Sequence, residues 1–336
     1  MYDKVIFLFI ILNIPIICFY DQINSRINIF DKADSIRKLH SKNVPLFGGI
    51  MIFYNFLIIT IFDLFLDIKQ KDYFLYVKDY LPFFFGLISC FIVGLYDDKF
   101  NLSAYKKLFL NFLIIFIVIM IDDTLVVKEL SFSFFDRPIK LNNFSYFFTI
   151  LCVLLFINAL NMFDGINLQT GFYCITILLI FLFKNIYIFF NIILILSLLL
   201  FLFYNYYNKA FLGDSGTQLL AFLISYQIIK SYNLENSFSP EEIFIILSIP
   251  GLDMLRLFVY RIIKGDHPFK PDINHLHHLI SRKLGNFISL IIIQSIILIN
   301  IILFYFVDDK LILLILNLSS YIFIYLIFKN KKGIKN

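Results

Sequence analysis

Two adjacent carboxylates, Asp97 and Asp98, follow an apolar run that begins at Leu81. Two lysines, Lys106 and Lys107, open the next run, so that residues 94–107 read GLYDDKFNLSAYKK. An acidic pair at a membrane surface is costly unless a cation or a proton shares the site. The plain reading is a solvated loop; the chemical one is a site for a metal or a phosphate reaction.

Four more polar clusters weigh toward the chemical reading. Arg37, Lys38, His40 and Lys42 precede Pro45 and the pair Gly48-Gly49. The basic residues fit a phosphate or a positively charged cytoplasmic loop, and glycines at a helix start admit a close neighbour. Asn158 and Asn161 lie three apart, on one face of a helix end, and Asp164, Gly165 and Asn167 follow. A helix stop needs only the glycine; amides and a carboxylate at the end of a long apolar helix are costly unless they are used. In Phe211-Leu-Gly213-Asp214-Ser215-Gly216-Thr217, Asp214 or Ser215 fits a helix cap. Asp214 also suits magnesium, which takes one or two carboxylates plus phosphate oxygens and water.

The fifth cluster begins at Pro250, Gly251, Asp253, Arg256 and Arg261. It continues from Gly265 through Asp272 and Asn274 to His275, His277 and His278. The histidine spacing is compatible with zinc. Yet no cysteine accompanies it and the other carboxylates favour a hard cation, so phosphate or sugar recognition by histidine and arginine is the better reading.

These residues must be positioned by membrane helices. Of 336 residues, 60% are hydrophobic and 16% charged, with 44 Phe, 20 Tyr and no Trp; soluble domains carry about 25% charged residues. At about 20 apolar residues per span, eleven spans are expected: 4–20, 46–66, 81–96, 107–121, 144–160, 171–184, 186–204, 215–230, 241–263, 287–306 and 311–328. The fold class is therefore an all-α polytopic membrane protein, one integral domain over 1–336. Lys and Arg accumulate on the odd-numbered connections and the C-terminal tail, which makes that side cytoplasmic and puts the N-terminus outside. The net charge of +5 is dispersed over loops and expresses topology, not nucleic-acid binding. The first run reads as a retained helix, since no small-residue cleavage site follows it. Cys18, Cys90, Cys152 and Cys174 all lie in apolar runs and read as small buried residues without metal or disulfide spacing. Residues 122–143 predict a short hairpin with a turn at Asp136-Arg137-Pro138.

All five clusters fall on the cytoplasmic side, and together they are the equipment of phosphoryl chemistry: cations, carboxylates for magnesium, and amides for positioning. The acceptor would enter from the bilayer as a lipid phosphate and the donor from the cytoplasm. A transporter is the rival reading, with Asp63 or Asp253 as ion carriers. Transporters, however, gather polar groups at the midplane and are often built from repeats, and no repeat is visible here.

The chain resembles the polyprenyl-phosphate N-acetylhexosamine-1-phosphate transferase family. The resemblance rests on RKLHSKNVPLFGG, GLYDDKFNLSAYKK, NALNMFDGIN, FLGDSGT and PGLDMLR…RIIKGDHPFKPDINHLHH, in the family order across residues 37–285. It is nearest to the bacterial undecaprenyl-phosphate N-acetylglucosamine-1-phosphate transferase branch. The resemblance implies a multi-pass protein of the bacterial inner (plasma) membrane that transfers a sugar 1-phosphate from a UDP-N-acetylhexosamine to undecaprenyl phosphate. It implies Mg2+, with Mn2+ as an alternative, and a homodimer. It places Asp97, Asp98, Asp164 and Lys107 in catalysis, with Asp97 beside the lipid phosphate and Lys107 steadying phosphate. Asp214 matches the magnesium carboxylate and Phe211 an aromatic that stacks on uracil. Asn161, Gly165 and Asn167 match the nucleotide motif, and Arg261, His275, His277 and His278 the loop for sugar and diphosphate. Asn167 stands where many members carry a second Asp, which leaves an inactive homologue as a further alternative.

Overall fold

A computed structural model describes residues 2–31, 43–66, 80–269 and 272–329. Arg37, Lys38, His40 and Lys42 lie outside the described residues, as do residues 330–336 of the basic tail and the side chain of Asp63. Among the described residues the protein is mostly helical. Seven helices are long and apolar enough to cross a membrane, and three shorter apolar helices accompany them. This is the architecture of a polytopic membrane protein, in which helices satisfy their own backbone hydrogen bonds. The chain divides into two compact units.

The first unit takes in Met1–Asp123 and Tyr173–Gln227. It holds α1 (Tyr2–Cys18), α2 (Tyr20–Ile27), α3 (Gly48–Leu66), α4 (Tyr80–Phe100) and α5 (Ala104–Ile121). It also holds most of α7 (Gln169–Phe183), all of α8 (Ile188–Tyr206) and most of α9 (Gly213–Glu235). Strands β1 (Phe30–Asp31) and β2 (Val44–Pro45) pair antiparallel, Phe30 opposite Pro45. Its core is aromatic: Phe56 meets Phe190 edge-on at 4.9 Å, and Phe83 meets Tyr226 at the same distance. Glycines then decide how closely the helices pack. A Cβ on Gly94 would lie 2.5 Å from the Asp214 carbonyl oxygen, and one on Gly49 would lie 2.5 Å from Ser215 Oγ. Helices α3 and α4 therefore press directly on the start of α9, and only glycine permits it.

The second unit takes in Thr124–Phe172 and Ile228–Asn336. Here α6 (Ser145–Phe163), α10 (Pro240–Ile263), α12 (Asn286–Phe306) and α13 (Lys310–Phe328) are the long helices, with the short α11 (Leu276–Leu284) beside them. Strands β3 (Glu129–Leu130) and β4 (Ile139–Lys140) pair antiparallel, Glu129 opposite Lys140. At one end of this unit Tyr305 donates to Glu242 (2.7 Å), which joins the end of α12 to the start of α10. At the other end Ser289 donates to the His277 carbonyl (3.0 Å), which joins the start of α12 to α11.

Two expectations change. Cys90 and Cys174 are buried, but Cys18 and Cys152 are exposed on the outer faces of their helices, where apolar neighbours mark a lipid-facing surface rather than a core. The carboxylates Asp97 and Asp98 do not sit in a loop: α4 runs on through them to Phe100.

Candidate active site

In the first unit, Asp97 and Asp98 occupy the last turn of α4. Asp97 Oδ1 accepts from the Leu102 amide (2.6 Å), and the Asn101 amide donates to the Asp97 carbonyl (2.8 Å). Asn101 adopts a left-handed φ of 52°, so the chain reverses in three residues and re-enters α5 at Ala104. That tight reversal puts Lys107 in the first turn of α5, facing back toward Asp97. Lys107 Nζ lies 2.9 Å from Asp97 Oδ2 and 2.5 Å from Asp214 Oδ1. A single ammonium thus joins two carboxylates that are far apart in sequence.

Asp98 points the other way. Its Oδ1 accepts from the Asp214 amide (2.7 Å) and its Oδ2 from the Ser215 amide (3.0 Å). The first amides of a helix have no partner within it, and a carboxylate there also meets the positive end of the helix dipole. Asp98 is therefore the cap of α9, supplied from another helix. The sequence reading gave that task to Asp214 or Ser215, and the structure corrects it: with Asp98 as cap, the Asp214 side chain is turned to Lys107. Gly213, with φ of 74°, makes room, since a Cβ there would lie 2.7 Å from Asp98 Oδ2. Phe211 is held as well. Its amide donates to the Pro45 carbonyl (2.9 Å) and its carbonyl accepts from Gly48 (2.9 Å).

Asp97 and Asp214 offer hard oxygen donors around one shared cation. That is the chemistry a magnesium ion uses, completed by phosphate oxygens and water. Among the described residues no three His, Cys, Asp or Glu side chains converge as a metal-binding group, so an ion here would draw on one or two carboxylates.

In the second unit, α6 ends at Phe163. The Asp164 amide closes the last turn onto the carbonyls of Leu160 (3.2 Å) and Asn161 (3.3 Å). Asn161, Asp164, Gly165 and Asn167 are all partly exposed around this end. Gly165 is required by its neighbour: a Cβ there would overlap His277 Nε2. His277 is 1% exposed, and its Nδ1 lies 3.4 Å from Gln169 Nε2. Gln169 also donates to the Phe163 carbonyl (2.8 Å), so the histidine loop and the Asn161–Asn167 motif are one packed assembly. The rings of His277 and His278 are 4.2 Å apart and those of His275 and His277 5.4 Å. Burial, then the neighbouring rings of His278 and His275, hold His277 well below the ordinary histidine value. His278 is brought down to about 4 by burial, then by His275 and Arg282. These two imidazoles are neutral near pH 7, and only His278 of the pair keeps an exposed portion.

His275 is set by Asp253. Its Nδ1 lies 2.8 Å from Asp253 Oδ2, while Asp253 Oδ1 accepts from Arg256 Nη2 (2.8 Å), the Leu276 amide (3.0 Å) and Tyr321 (3.0 Å). Arg256 also donates to the Asn274 carbonyl (2.7 Å) and to Tyr321 (2.9 Å). Arg261 is buried, its Nε donating to Asp272 (2.9 Å) and its Nη1 to the Pro268 carbonyl (2.5 Å). The sequence reading placed Asp253 among ion carriers as a rival; the structure pairs it with the Arg256 guanidinium on one side and the His275 imidazole on the other. Tyr321 was missed altogether, one of four hydroxyls in an apolar run far from the motifs. Asp253 and Arg256 were in view, and their i, i+3 spacing was the available signal.

Residues 80–232 match the family described as glycosyl transferase family 4. This family segment carries the Lys107 cluster and the Asn161–Asn167 motif. Similar curated proteins carry the name undecaprenyl-phosphate alpha-N-acetylglucosaminyl 1-phosphate transferase. That of Salmonella typhi is 29% identical over 273 residues, 76% of this chain and 70% of the relative. That of Escherichia coli K12 is 28% identical over 284 residues, 79% and 72% respectively. That of Thermotoga maritima is 29% identical over 267 residues, 79% and 77%.

Proposed function

We propose that the protein transfers N-acetylglucosamine 1-phosphate from its UDP-sugar to undecaprenyl phosphate and releases UMP. The observation that carries this reading is the Lys107 ammonium between Asp97 and Asp214. In the reaction an oxygen of the lipid phosphate attacks the sugar-bound phosphorus of the donor. A new phosphorus–oxygen bond forms, the bond to the bridging oxygen breaks, and UMP departs with that oxygen. The negative charge that accumulates on the phosphates is the main barrier for a protein to lower.

Lys107 supplies fixed positive charge for phosphate. Asp97 orients the lipid phosphate and takes its proton when it arrives protonated; a dianionic phosphate needs no base. Asp98 acts through the backbone by fixing the start of α9, and so Asp214. Asp214, with Asp97 beside it, would hold magnesium, which supplies charge neutralisation on the diphosphate. Phe211 takes the uracil, and Asn161, Gly165 and Asn167, with Asp164, the nucleotide. His275 and His278 serve the sugar and diphosphate, His277 supports Gly165 from behind, and Arg261 fixes the loop through Asp272. Eleven spans, an external N-terminus, a cytoplasmic site in the bacterial inner membrane and a homodimer belong to the same proposal.

The test is purified protein with undecaprenyl phosphate, Mg2+ and a panel of labelled UDP-sugars. Labelled lipid from UDP-N-acetylglucosamine is expected. Product from a different UDP-sugar alone would replace the donor and keep the reaction. No product from any donor, beside an active relative, would favour an inactive homologue.

A further inference from the structure

The β3–β4 hairpin lies at the end of the second unit opposite the histidines. It is fixed there by polar contacts from the helix ends. Ser133 donates its amide to Glu241 (2.9 Å), a fully buried carboxylate in the first turn of α10. Tyr232 accepts from the Ser131 amide (3.1 Å) and donates to the Glu129 carbonyl (2.9 Å). Val127 donates to Thr149 of α6 (2.9 Å). Two paired residues on each strand would be marginal alone; these contacts make the hairpin a fixed platform.

Its apolar side chains are not spent on the core. Phe132, Phe134 and Phe135 pack on each other with ring centroids 4.9 to 6.0 Å apart. Phe135 is 54% exposed, and Ile139, Phe144 and Phe147 are exposed nearby. Val126, Lys128, Glu129 and Lys140, with Asn142, Ser145 and Tyr146, line a cavity of about 280 Å³ at the base of the hairpin. A held aromatic cluster of this kind calls for an apolar partner. The starts of α6 and α10 and the end of α12 mark this level as the place where membrane-length helices leave the hydrocarbon. Aromatic side chains beside lysines suit that boundary. The tip of one short hairpin is too small for a stable protein interface, which needs about 800 Å² per partner.

We propose that the hairpin is an interfacial membrane anchor: Phe134 and Phe135 enter the acyl boundary of the bilayer. The chain contains no tryptophan, so Phe135→Trp in the full-length protein gives a single reporter, with Phe134→Trp as a second. In phospholipid nanodiscs the indole should be quenched by lipids brominated in the upper acyl chain. It should also be sheltered from aqueous acrylamide at least about threefold relative to free N-acetyltryptophanamide, as expected for a buried interfacial ring. An indole open to acrylamide and indifferent to brominated lipid would overturn the proposal. An indole shielded from both would overturn it too, since the face would then be covered by protein. The thermal transition of each variant, compared with the parent, verifies that the platform is intact.

Discussion

Lys107 and Asp214 form an ion pair of 2.5 Å between the first turn of one helix and the first turn of another. Because Lys107 also pairs with Asp97, removing Lys107 leaves two carboxylates without their cation, and removing either carboxylate leaves the ammonium with a single partner. Asp214→Asn and Asp97→Asn should each lower turnover by at least about a hundredfold, the scale of losing a key electrostatic group. Near-normal turnover in a folded variant would remove that residue from the mechanism.

Asp98 should behave differently from Asp97. Asp98→Asn keeps one acceptor oxygen for two backbone amides, so it should lower the thermal transition by the equivalent of about 1 kcal/mol, the usual cost of a lost cap. Activity should fall with it. Asp97→Asn should leave the transition closer to that of the parent. A calorimetric scan of both variants in detergent decides; equal transitions would show that the α9 cap does not depend on the Asp98 charge.

Gly165→Ala tests the packing of the nucleotide motif on His277. The added methyl overlaps the imidazole and should cost about 1–3 kcal/mol, as overpacking does, with loss of UDP-sugar binding. Gly265→Ala, where nothing lies within 4 Å but φ is 74°, is the control for backbone strain without a clash. Tight UDP-sugar binding by the Gly165 variant would mean that His277 yields freely.

Acid should loosen the histidine loop. The folded value of His278, about 4, lies below the ordinary 6.5, and His277 is lowered as well. The unfolded chain then takes up protons first as the pH falls. Stability is therefore full above about pH 6.5 and declines from there toward about pH 4. Thermal scans across this range should show the decline, and His278→Gln should flatten part of it. A variant with the parent's full pH dependence would place the effect elsewhere.

Much of the site was legible because its polar residues interrupt apolar runs, where each carries a cost unless it is used. Asp97, Lys107 and Asp214 could be named on that ground alone. Their pairing could not, because it follows from a reversal at Asn101 and from glycines that let helices touch. The cap role of Asp98 was hidden for the same reason, since a cap is sought next to its own helix and this one comes from another. His277 and Arg261 looked like ligand groups from their types, and their burial could not be read from the sequence. Tyr321 carried no local signal, because its partner Asp253 is 68 positions away in sequence. The long apolar runs coincide with helices, but where each stops was misjudged at Asp97, which remains helical because Lys107 and the Leu102 amide satisfy its carboxylate.

The most direct measurement is UMP release from UDP-N-acetylglucosamine and undecaprenyl phosphate, followed in the parent and in Asp214→Asn, with Mg2+ present and then removed by a chelator. The expected result is release by the parent that is lost on chelation and restored by added Mg2+, with the variant silent under all conditions while still folded. UMP release by the folded variant at the parent's rate, or release indifferent to chelation, would contradict a transfer centred on Lys107 and Asp214.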